Sequence, residues 1–307
     1  MHGEERRGLL LALLGFALLS CGDAIIKTMA GEWSPLAVAA LRFTIGAAGL
    51  SALLLLRQGV SAFQPAKPLL QVARGICAAG ATLCFFSAIF VMPLAEAMSL
   101  SFISPVVTAL LSKPILGEKV RPAVWIASPL ALVGVALVLR PNFAEIGWPA
   151  VLPLMSATFF SLMVIANRAS SGSGTPLAMQ AYLAIVAAPF LLSAAAVGHV
   201  SGAANLAVTM PDWTVIGRCL VVAITASTAH FLIYLGTTKA GAATIAPTSY
   251  IQMLVAGGLG WWWFSEVPDA MSILGAAVII VAGLILWWNT AAQGPAAPAP
   301  LVVRAGD

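Results

Sequence analysis

The sequence predicts an all-α membrane protein with ten transmembrane helices, arranged as two inverted five-helix repeats. Three observations support this fold class: a very apolar composition, ten apolar segments joined by short polar connections, and a match between the two halves of the chain. Of the 307 residues, 61% are hydrophobic and 8% are charged, and the mean hydropathy is +0.99. A soluble domain carries about 25% charged residues. The composition therefore excludes a soluble enzyme, a disordered protein and a nucleic-acid binder.

Each apolar segment is close to the length that crosses a bilayer, which is roughly 20 residues. The first follows Arg6 and Arg7 and resembles a signal peptide with a lipoprotein-type box at Cys21, but its apolar run continues to Ile26. We therefore interpret it as the first transmembrane helix. The ten predicted spans cover residues 8–28, 34–56, 70–91, 94–115, 122–140, 148–168, 176–198, 213–236, 240–264 and 268–289.

The second half of the chain repeats the first. At an offset of 141 residues, Ser20, Lys27 and Ser34-Pro35-Leu36 correspond to Ser161, Arg168 and Thr175-Pro176-Leu177. At an offset of 148, Leu116-Gly117-Glu118 corresponds to Phe264-Ser265-Glu266. The chain is thus predicted to contain a first repeat (1–141, spans 1–5), a second repeat (142–289, spans 6–10) and an Ala/Pro-rich cytoplasmic tail (290–307) that we expect to be disordered.

Each repeat contains an odd number of spans, so the second copy enters the membrane from the opposite face. Inverted repeats of this kind are the usual architecture of secondary transporters. Two halves that can adopt mirrored arrangements of similar energy let one central site open to either side in turn. The repeat therefore predicts a carrier that works by alternating access.

Positive charges predict the orientation of the chain. With the N-terminus in the cytoplasm, only Lys27 and Arg140 lie in outer loops, Arg42 and Arg218 fall within spans, and the remaining eleven of the 15 Lys and Arg residues lie inside. This is a strong positive-inside bias. It predicts a multi-pass protein of the bacterial inner membrane with both termini in the cytoplasm.

The motifs at the ends of spans 4 and 9 resemble those of a known family. The most typical stretch, at residues 104–118, reads SPVVTALLSKPILGE, and a Gly-bearing apolar span follows it. This pattern resembles the EamA-type members of the drug/metabolite transporter superfamily over nearly the whole chain, with the YddG-like aromatic amino-acid exporters as the nearest comparison. Span 9 departs from it, because Ser265 stands in place of the usual Gly and no Pro aligns with Pro105. The resemblance implies export of amino acids or related metabolites.

Polar and aromatic side chains that share a helical face select six spans as the lining of a substrate cavity. In span 9, Thr244, Thr248 and Gln252 recur every four residues, so that they share one face. The full candidate lining is Ser20, Thr82, Phe85, Phe86, Ser99, Phe102, Ser161, Ser227, His230, Tyr234, Thr244, Thr248, Tyr250 and Gln252. Each hydroxyl could instead bond to a backbone carbonyl or hold two helices together.

Two prolines and three ionisable residues stand out within the spans. Pro105 and Pro247 lie in repeat-related spans and are candidates for shaping gating helices, although a static kink is an equal alternative. Asp23 and Arg42 are predicted at similar depth and could form an ion pair, or Arg42 could extend towards the outer surface. His230 is the only His deep in a span.

The remaining signals restrict the chemistry. No acidic residue is predicted at the middle of the bilayer, so we expect a neutral or zwitterionic, partly apolar substrate. No catalytic, metal-binding or cofactor-binding motif occurs. We expect no enzyme activity, no cofactor and no nucleic-acid partner; the partners are a small-molecule substrate and the lipid bilayer, and a homo-oligomer stays open. The sequence thus predicts an exporter of aromatic or neutral amino acids or related metabolites. The alternatives are a channel or facilitator for small neutral solutes and an importer of a nucleoside-like metabolite.

Overall fold

The computed structural model describes residues 3–116, 122–170, 172–240 and 246–291, and within these ranges the chain forms helices and no strands. Short 3-10 turns at Val60–Phe63, Trp148–Val151, Ala204–Leu206 and Ala246–Tyr250 connect or precede the helices. The α-helices are α1 (Gly3–Lys27), α2 (Pro35–Gln58), α3 (Pro68–Ile89), α4 (Leu94–Ser101), α5 (Ser104–Leu116), α6 (Pro122–Ile146), α7 (Leu152–Ala169), α8 (Pro176–Val200), α9 (Trp213–Ala240), α10 (Ile251–Phe264) and α11 (Ala270–Ala291).

Local sequence explains several helix boundaries. Pro35, Pro68 and Pro176 occupy the first turns of α2, α3 and α8, where proline has no hydrogen bond to lose. Thr175 caps α8, because its side chain accepts a hydrogen bond from the backbone N–H of Ala178. The helix α10 ends at Ser265, which adopts the left-handed conformation with φ 55°.

Six helices within the described residues are long and apolar enough to cross a membrane. They begin at Arg6, Pro35, Pro68, Trp148, Pro176 and Trp213 and contain 20 to 25 residues. Three shorter apolar segments, Leu94–Thr108, Trp125–Val138 and Ala270–Ile285, lie in the regions of predicted spans 4, 5 and 10. Predicted spans 1, 2, 3, 6, 7 and 8 therefore correspond to helices that could cross a membrane.

The structure divides the predicted span at 94–115 into α4 and α5, close to Pro105, which the sequence analysis singled out as a possible kink. Phe102 and Ile103 form a turn between them. Pro105 has no backbone N–H to donate to the carbonyl of Ser101, so the helix cannot continue across this point without losing a hydrogen bond. Within span 9 the chain likewise changes from a 3-10 turn over Ala246–Tyr250 to α10.

The helices pack in pairs that repeat along the chain. The most extensive contacts join α1 to α9, α3 to α7, α2 to α8 and α6 to α11. Smaller contacts join α5 to α7 and α1 to α10. The α6–α11 pair approaches closely where Gly134 meets Gly275, since a Cβ added at either glycine would lie 2.6–2.7 Å from the carbonyl oxygen of the other.

Candidate functional site

A small open cavity of about 80 Å³ lies between α2, α8 and α9. Three predicted residues, Arg42, Ser227 and His230, line it. Phe43 and Gln180, which the sequence analysis did not single out, line it as well. Gln180 could have been noticed as a polar side chain near the start of an apolar span. The rest of the lining is apolar or small, so one cation and a few neutral polar groups face a mostly hydrophobic surface.

Arg42 sits among aromatic rings. Its guanidinium lies 4.8 Å from the ring centroid of Phe43 and 5.5 Å from that of Phe86. These distances are typical of cation–π contacts, which stabilise a cation through the face of the ring. They connect the predicted residue Phe86 on α3 to the cavity through Arg42.

Asp23 on α1, the predicted partner of Arg42, lies within electrostatic range of it. The two groups make no direct ion-pair contact in the described part of the chain. His230 also lies within electrostatic range of Arg42. One acid and one guanidinium on neighbouring helices therefore lie near each other without forming an ion pair.

Most predicted hydroxyls bond to backbone carbonyls. Ser99 and Ser227 donate to the carbonyls four residues earlier, at 2.6 and 2.8 Å. Such bonds satisfy the hydroxyl within its own helix. For these two serines, the contact present is therefore the alternative named in the sequence analysis, a bond from the hydroxyl to a backbone carbonyl.

Ser20 and Ser161 join helices instead. Ser20 donates to the carbonyl of Gln252 at 2.9 Å, linking α1 to α10. The hydroxyl of Ser161 lies 2.9 Å from the carbonyl of Ser104, which links α7 to α5, and 2.7 Å from the carbonyl of Ala157 in its own helix, so it shares its hydrogen between the two. Both donors are fully buried. Each bond connects one half of the chain to the other.

Phe102 and Tyr250 meet where the two interrupted spans cross. Their ring centroids lie 5.3 Å apart with an interplanar angle of 58°. The hydroxyl of Tyr250 lies against Gly283, where any Cβ would collide with it. Thr248 and Tyr250 also line a second, apolar recess with Leu13. Of the predicted cavity lining, Ser227 and His230 therefore lie in the first recess and Thr248 and Tyr250 in the second.

Some of the remaining predicted residues lie within the described part of the structure. Thr82 and Phe85 are half-buried on α3. The side-chain amide of Gln252 donates to the carbonyl of Ser249 at 3.4 Å. Thr244 lies outside the described residues, as do the side chains of Tyr234, Pro105 and Pro247.

An ion pair that the sequence analysis missed joins the ends of α1 and α10. Lys27 pairs with Glu266, donates to the carbonyl of Met92 at 2.6 Å and lies 5.4 Å from the ring centroid of Phe264. Glu266 in turn accepts a hydrogen bond from the backbone N–H of Leu94 at 3.0 Å, at the start of α4. The side chains of Lys27 and Glu266 are 9% and 20% exposed. This cluster, which we call the end clamp, ties three helix ends together.

A second missed cluster surrounds Arg74, which the orientation count treated as an inside surface charge. The structure buries it, with 4% of its surface exposed. Its guanidinium donates to the side chains of Gln71 and Asn167 and, at 3.3 Å, to the carbonyl of Met179. These neutral acceptors join α3, α7 and α8.

No group of His, Cys, Asp and Glu residues that could hold a metal ion occurs in the described ranges. The four cysteines, Cys21, Cys77, Cys84 and Cys219, are free thiols.

Comparison with known proteins shows similarity to a family of transporters. Residues 6–140 match the model of the EamA-like transporter family. The chain is 29% identical over 287 residues to the pseudopaline exporter CntI of Pseudomonas aeruginosa strain UCBPP-PA14, covering 92% of this chain and 96% of the relative. It is 26% identical over 233 residues to a riboflavin transporter of Rhizobium johnstonii, covering 76% of this chain and 74% of the relative.

Two further comparisons cover the chain almost completely. An S-adenosylmethionine uptake transporter of Rickettsia bellii is 22% identical, over 90% of this chain and 92% of its own length. A crystal structure with 21% sequence identity superposes with a TM-score of 0.63, covering 91% of this chain and 96% of that one, which shows a shared fold. The apolar helices and these relatives together indicate a multi-pass bacterial membrane protein. Residues 6–140 thus resemble the EamA-like transporter family, and most of the chain resembles bacterial small-molecule transporters.

Proposed function

We propose that this protein is a secondary transporter that exports aromatic or neutral amino acids, or related small metabolites, across the inner membrane by alternating access. The two halves of the chain would surround one central site as inverted five-helix repeats. The substrate would enter the cavity at Arg42 and leave on the opposite side after the halves rearrange. A YddG-like preference for aromatic amino acids is the most specific form of this proposal.

One observation carries the proposal: the two cross-helix serine bonds are related by the sequence repeat. The donors Ser20 and Ser161 differ by the offset of 141, and the accepting residues Ser104 and Gln252 differ by the offset of 148. A duplicated bundle would produce such a pair of bonds, with each half donating to the other. The paired packing of α1 with α9 and of α7 with α3 gives the same support, since the repeat exchanges these two pairs.

The end clamp would close one side of the cavity. With the N-terminus in the cytoplasm, the ends of α1 and α10 and the start of α4 all lie at the outer face. Lys27 and Glu266 would then hold the outer end shut while the substrate site communicates with the cytoplasm. Opening to the outside would require this ion pair to separate, and the cost of leaving two charges at the membrane surface unpaired would set part of the barrier.

Import of a nucleoside-like metabolite is a second candidate function. A relative with 22% identity is named as an S-adenosylmethionine uptake transporter, so export is not the direction of every similar protein. A transport assay in cells that express the protein distinguishes import from export. An importer would accumulate labelled S-adenosylmethionine added outside, and an exporter would lower the retention of labelled amino acids loaded inside.

Counterflow in liposomes tests transport itself. Purified protein is reconstituted, the liposomes are loaded with unlabelled phenylalanine, leucine, riboflavin or S-adenosylmethionine, and uptake of the same labelled solute is measured. A carrier is expected to show saturable uptake that the solute inside accelerates several-fold. Uptake that is linear with concentration and unaffected by the solute inside would indicate a channel and would overturn the proposal.

A further inference from the structure

We propose that Arg42 binds the carboxylate of a zwitterionic substrate and that Asp23 supplies the matching negative charge. This inference rests on the proposed transport function and adds the chemical feature that the cavity recognises. It also predicts which solutes are rejected: those without a carboxylate and those with a net negative charge.

The first step is the unused hydrogen-bonding capacity of Arg42. A guanidinium carries five N–H donors in a fixed planar fork. None of the described residues accepts a hydrogen bond from it, although it lines the cavity. Polar groups at membrane depth are costly unless they are satisfied. A solute that fills the cavity would supply the missing acceptors.

The second step is the orientation that the aromatic contacts impose. Phe43 and Phe86 lie close to the guanidinium at ring-centroid distances typical of cation–π contacts. The faces of the rings stabilise the positive charge of the guanidinium, but they do not accept hydrogen bonds from the N–H groups in its plane. The fork therefore keeps its geometry for a planar partner with two oxygen atoms, and a carboxylate is the group that matches it in two parallel hydrogen bonds.

The third step is charge balance. Asp23 lies within electrostatic range of Arg42 but does not form an ion pair with it. When Asp23 is ionised, the empty site carries one positive and one negative charge. A zwitterion adds no net charge to this site, and the loaded centre stays neutral in a medium of low polarity. A dianion or a simple monoanion would leave an excess negative charge there.

The rest of the lining fits the side chain of such a substrate. Leu50, Leu183 and Ala184 provide apolar surface, and Gln180 and Ser227 are neutral polar groups. An amino acid with an apolar or aromatic side chain would place its side chain on this surface and its carboxylate at Arg42. These residues carry no charge, so they would add little binding energy for a substrate with an acidic or basic side chain.

The test uses ligand pairs that differ by one group. Binding of phenylalanine, phenylalaninamide and 3-phenylpropanoate to the purified full chain is measured by equilibrium binding and by the shift in melting temperature. The wild type is expected to bind phenylalanine, and the amide, which lacks the carboxylate, at least 10-fold more weakly. Arg42→Gln should weaken phenylalanine about 10- to 100-fold, since hydrogen bonds to charged groups are lost, and Arg42→Lys should fall between.

A matched control is Arg218→Gln, because Arg218 pairs with Glu32 away from the cavity and its loss should leave phenylalanine binding unchanged. The ratio of phenylalanine to amide affinity in Arg42→Gln should approach one, whatever fraction of the variant is folded. Should Arg42→Gln not fold, the ligand series on the wild type decides. Asp23→Asn should weaken phenylalanine more than 3-phenylpropanoate, which has no ammonium group.

Two outcomes would overturn the inference. One is equal binding of phenylalanine and its amide by the wild type. The other is saturable counterflow of riboflavin, which has no carboxylate, together with no binding of phenylalanine or S-adenosylmethionine. The second result would leave the transport function standing and remove only the carboxylate site.

Discussion

Glu266 performs two tasks in the end clamp, as the partner of Lys27 and as the acceptor for the start of α4. Removing one partner of a buried ion pair commonly costs about 3–5 kcal/mol, because the other charge stays buried. Glu266 is 20% exposed, so we expect Glu266→Gln to lower the free energy of unfolding by a smaller amount, roughly 2 kcal/mol. Thermal unfolding in detergent measures it.

The control for this substitution is Glu32→Gln at the same end of the bundle. Glu32 pairs with Arg218, but its side chain is 46% exposed. Exposed ion pairs contribute about 0–1 kcal/mol, so this variant should unfold close to the wild-type temperature. Equal losses of stability in both variants would contradict the assignment of the clamp as a buried contact.

Ser265 carries a backbone conformation that favours glycine, with φ 55°. A non-glycine residue in the left-handed region costs roughly 1–2 kcal/mol, and a glycine at this position would remove that cost. Glycine also makes the unfolded chain more flexible, which offsets part of the stabilisation. We therefore expect Ser265→Gly to stabilise the protein by about 0.5–1 kcal/mol. The resemblance to the EamA family identified the departure from Gly here, and the structure gives its physical meaning.

Ser201 provides the comparison for Ser265, because it also follows a helix but has φ −63°. Its hydroxyl donates to the carbonyl of Gly198 at 2.6 Å. Ser201→Gly should therefore lower the melting temperature or leave it unchanged. A rise in melting temperature in Ser201→Gly equal to that in Ser265→Gly would show that the backbone conformation is not the cause.

At the scale of helices, α6 and α11 depend on the close contact between Gly134 and Gly275. An alanine Cβ at Gly134 would lie 2.7 Å from the carbonyl oxygen of Gly275, so the helices must separate. We expect Gly134→Ala and Gly275→Ala to destabilise the protein by about 1–3 kcal/mol, the usual cost of overpacking. Chemical denaturation in detergent measures the change.

Gly258 on α10 is the matched control, since a Cβ there meets nothing within 4 Å. Alanine is a better helix former than glycine by roughly 1 kcal/mol, so Gly258→Ala should be neutral or stabilising. A loss at Gly258 as large as at Gly134 would mean that glycine is required for a reason other than helix contact.

The apolar pattern located the helices well but not the contacts between them. Six predicted spans correspond to helices long enough to cross a membrane, because about twenty consecutive apolar residues favour a membrane-spanning helix. Pro105 indicated a kink in span 4, but the turn at Phe102 and Ile103 that divides the span into two helices was not predicted. The hydropathy of the span is continuous there, so only Pro105 marks the interruption. Lys27 and Glu266 are 239 positions apart, and no local pattern connects them.

The candidate site shows the same limit. Arg42 and Asp23 could be singled out because charges within apolar spans are rare, and the structure places them within electrostatic range. The serines could not be assigned from sequence, because a hydroxyl on a helix face has the same pattern whether it faces a cavity or bonds to a carbonyl. Ser99 and Ser227 bond within their helices, Ser20 bonds between helices, and Ser161 does both.

At the scale of the whole molecule, the proposed orientation makes a prediction about two exposed residues. Val60, in the connection between α2 and α3, is 75% exposed, and Met210, between α8 and α9, is 96% exposed. With both termini in the cytoplasm, a cysteine at position 210 should react with a membrane-impermeant maleimide added to whole cells. A cysteine at position 60 should react only after lysis, and the reverse pattern would contradict the orientation.

The most direct test of alternating access is the distance across each end of the bundle, measured by double electron–electron resonance after replacing the four native cysteines. Spin labels at Val91 and Val267 flank the end clamp, and labels at Leu69 and Ile115 lie at the opposite end; all four residues are exposed. The account predicts two populations at the clamp, with Glu266→Gln shifting the labels towards the longer distance while the opposite pair moves closer. A single distribution at both ends, unchanged by Glu266→Gln and by transported solute, would contradict it.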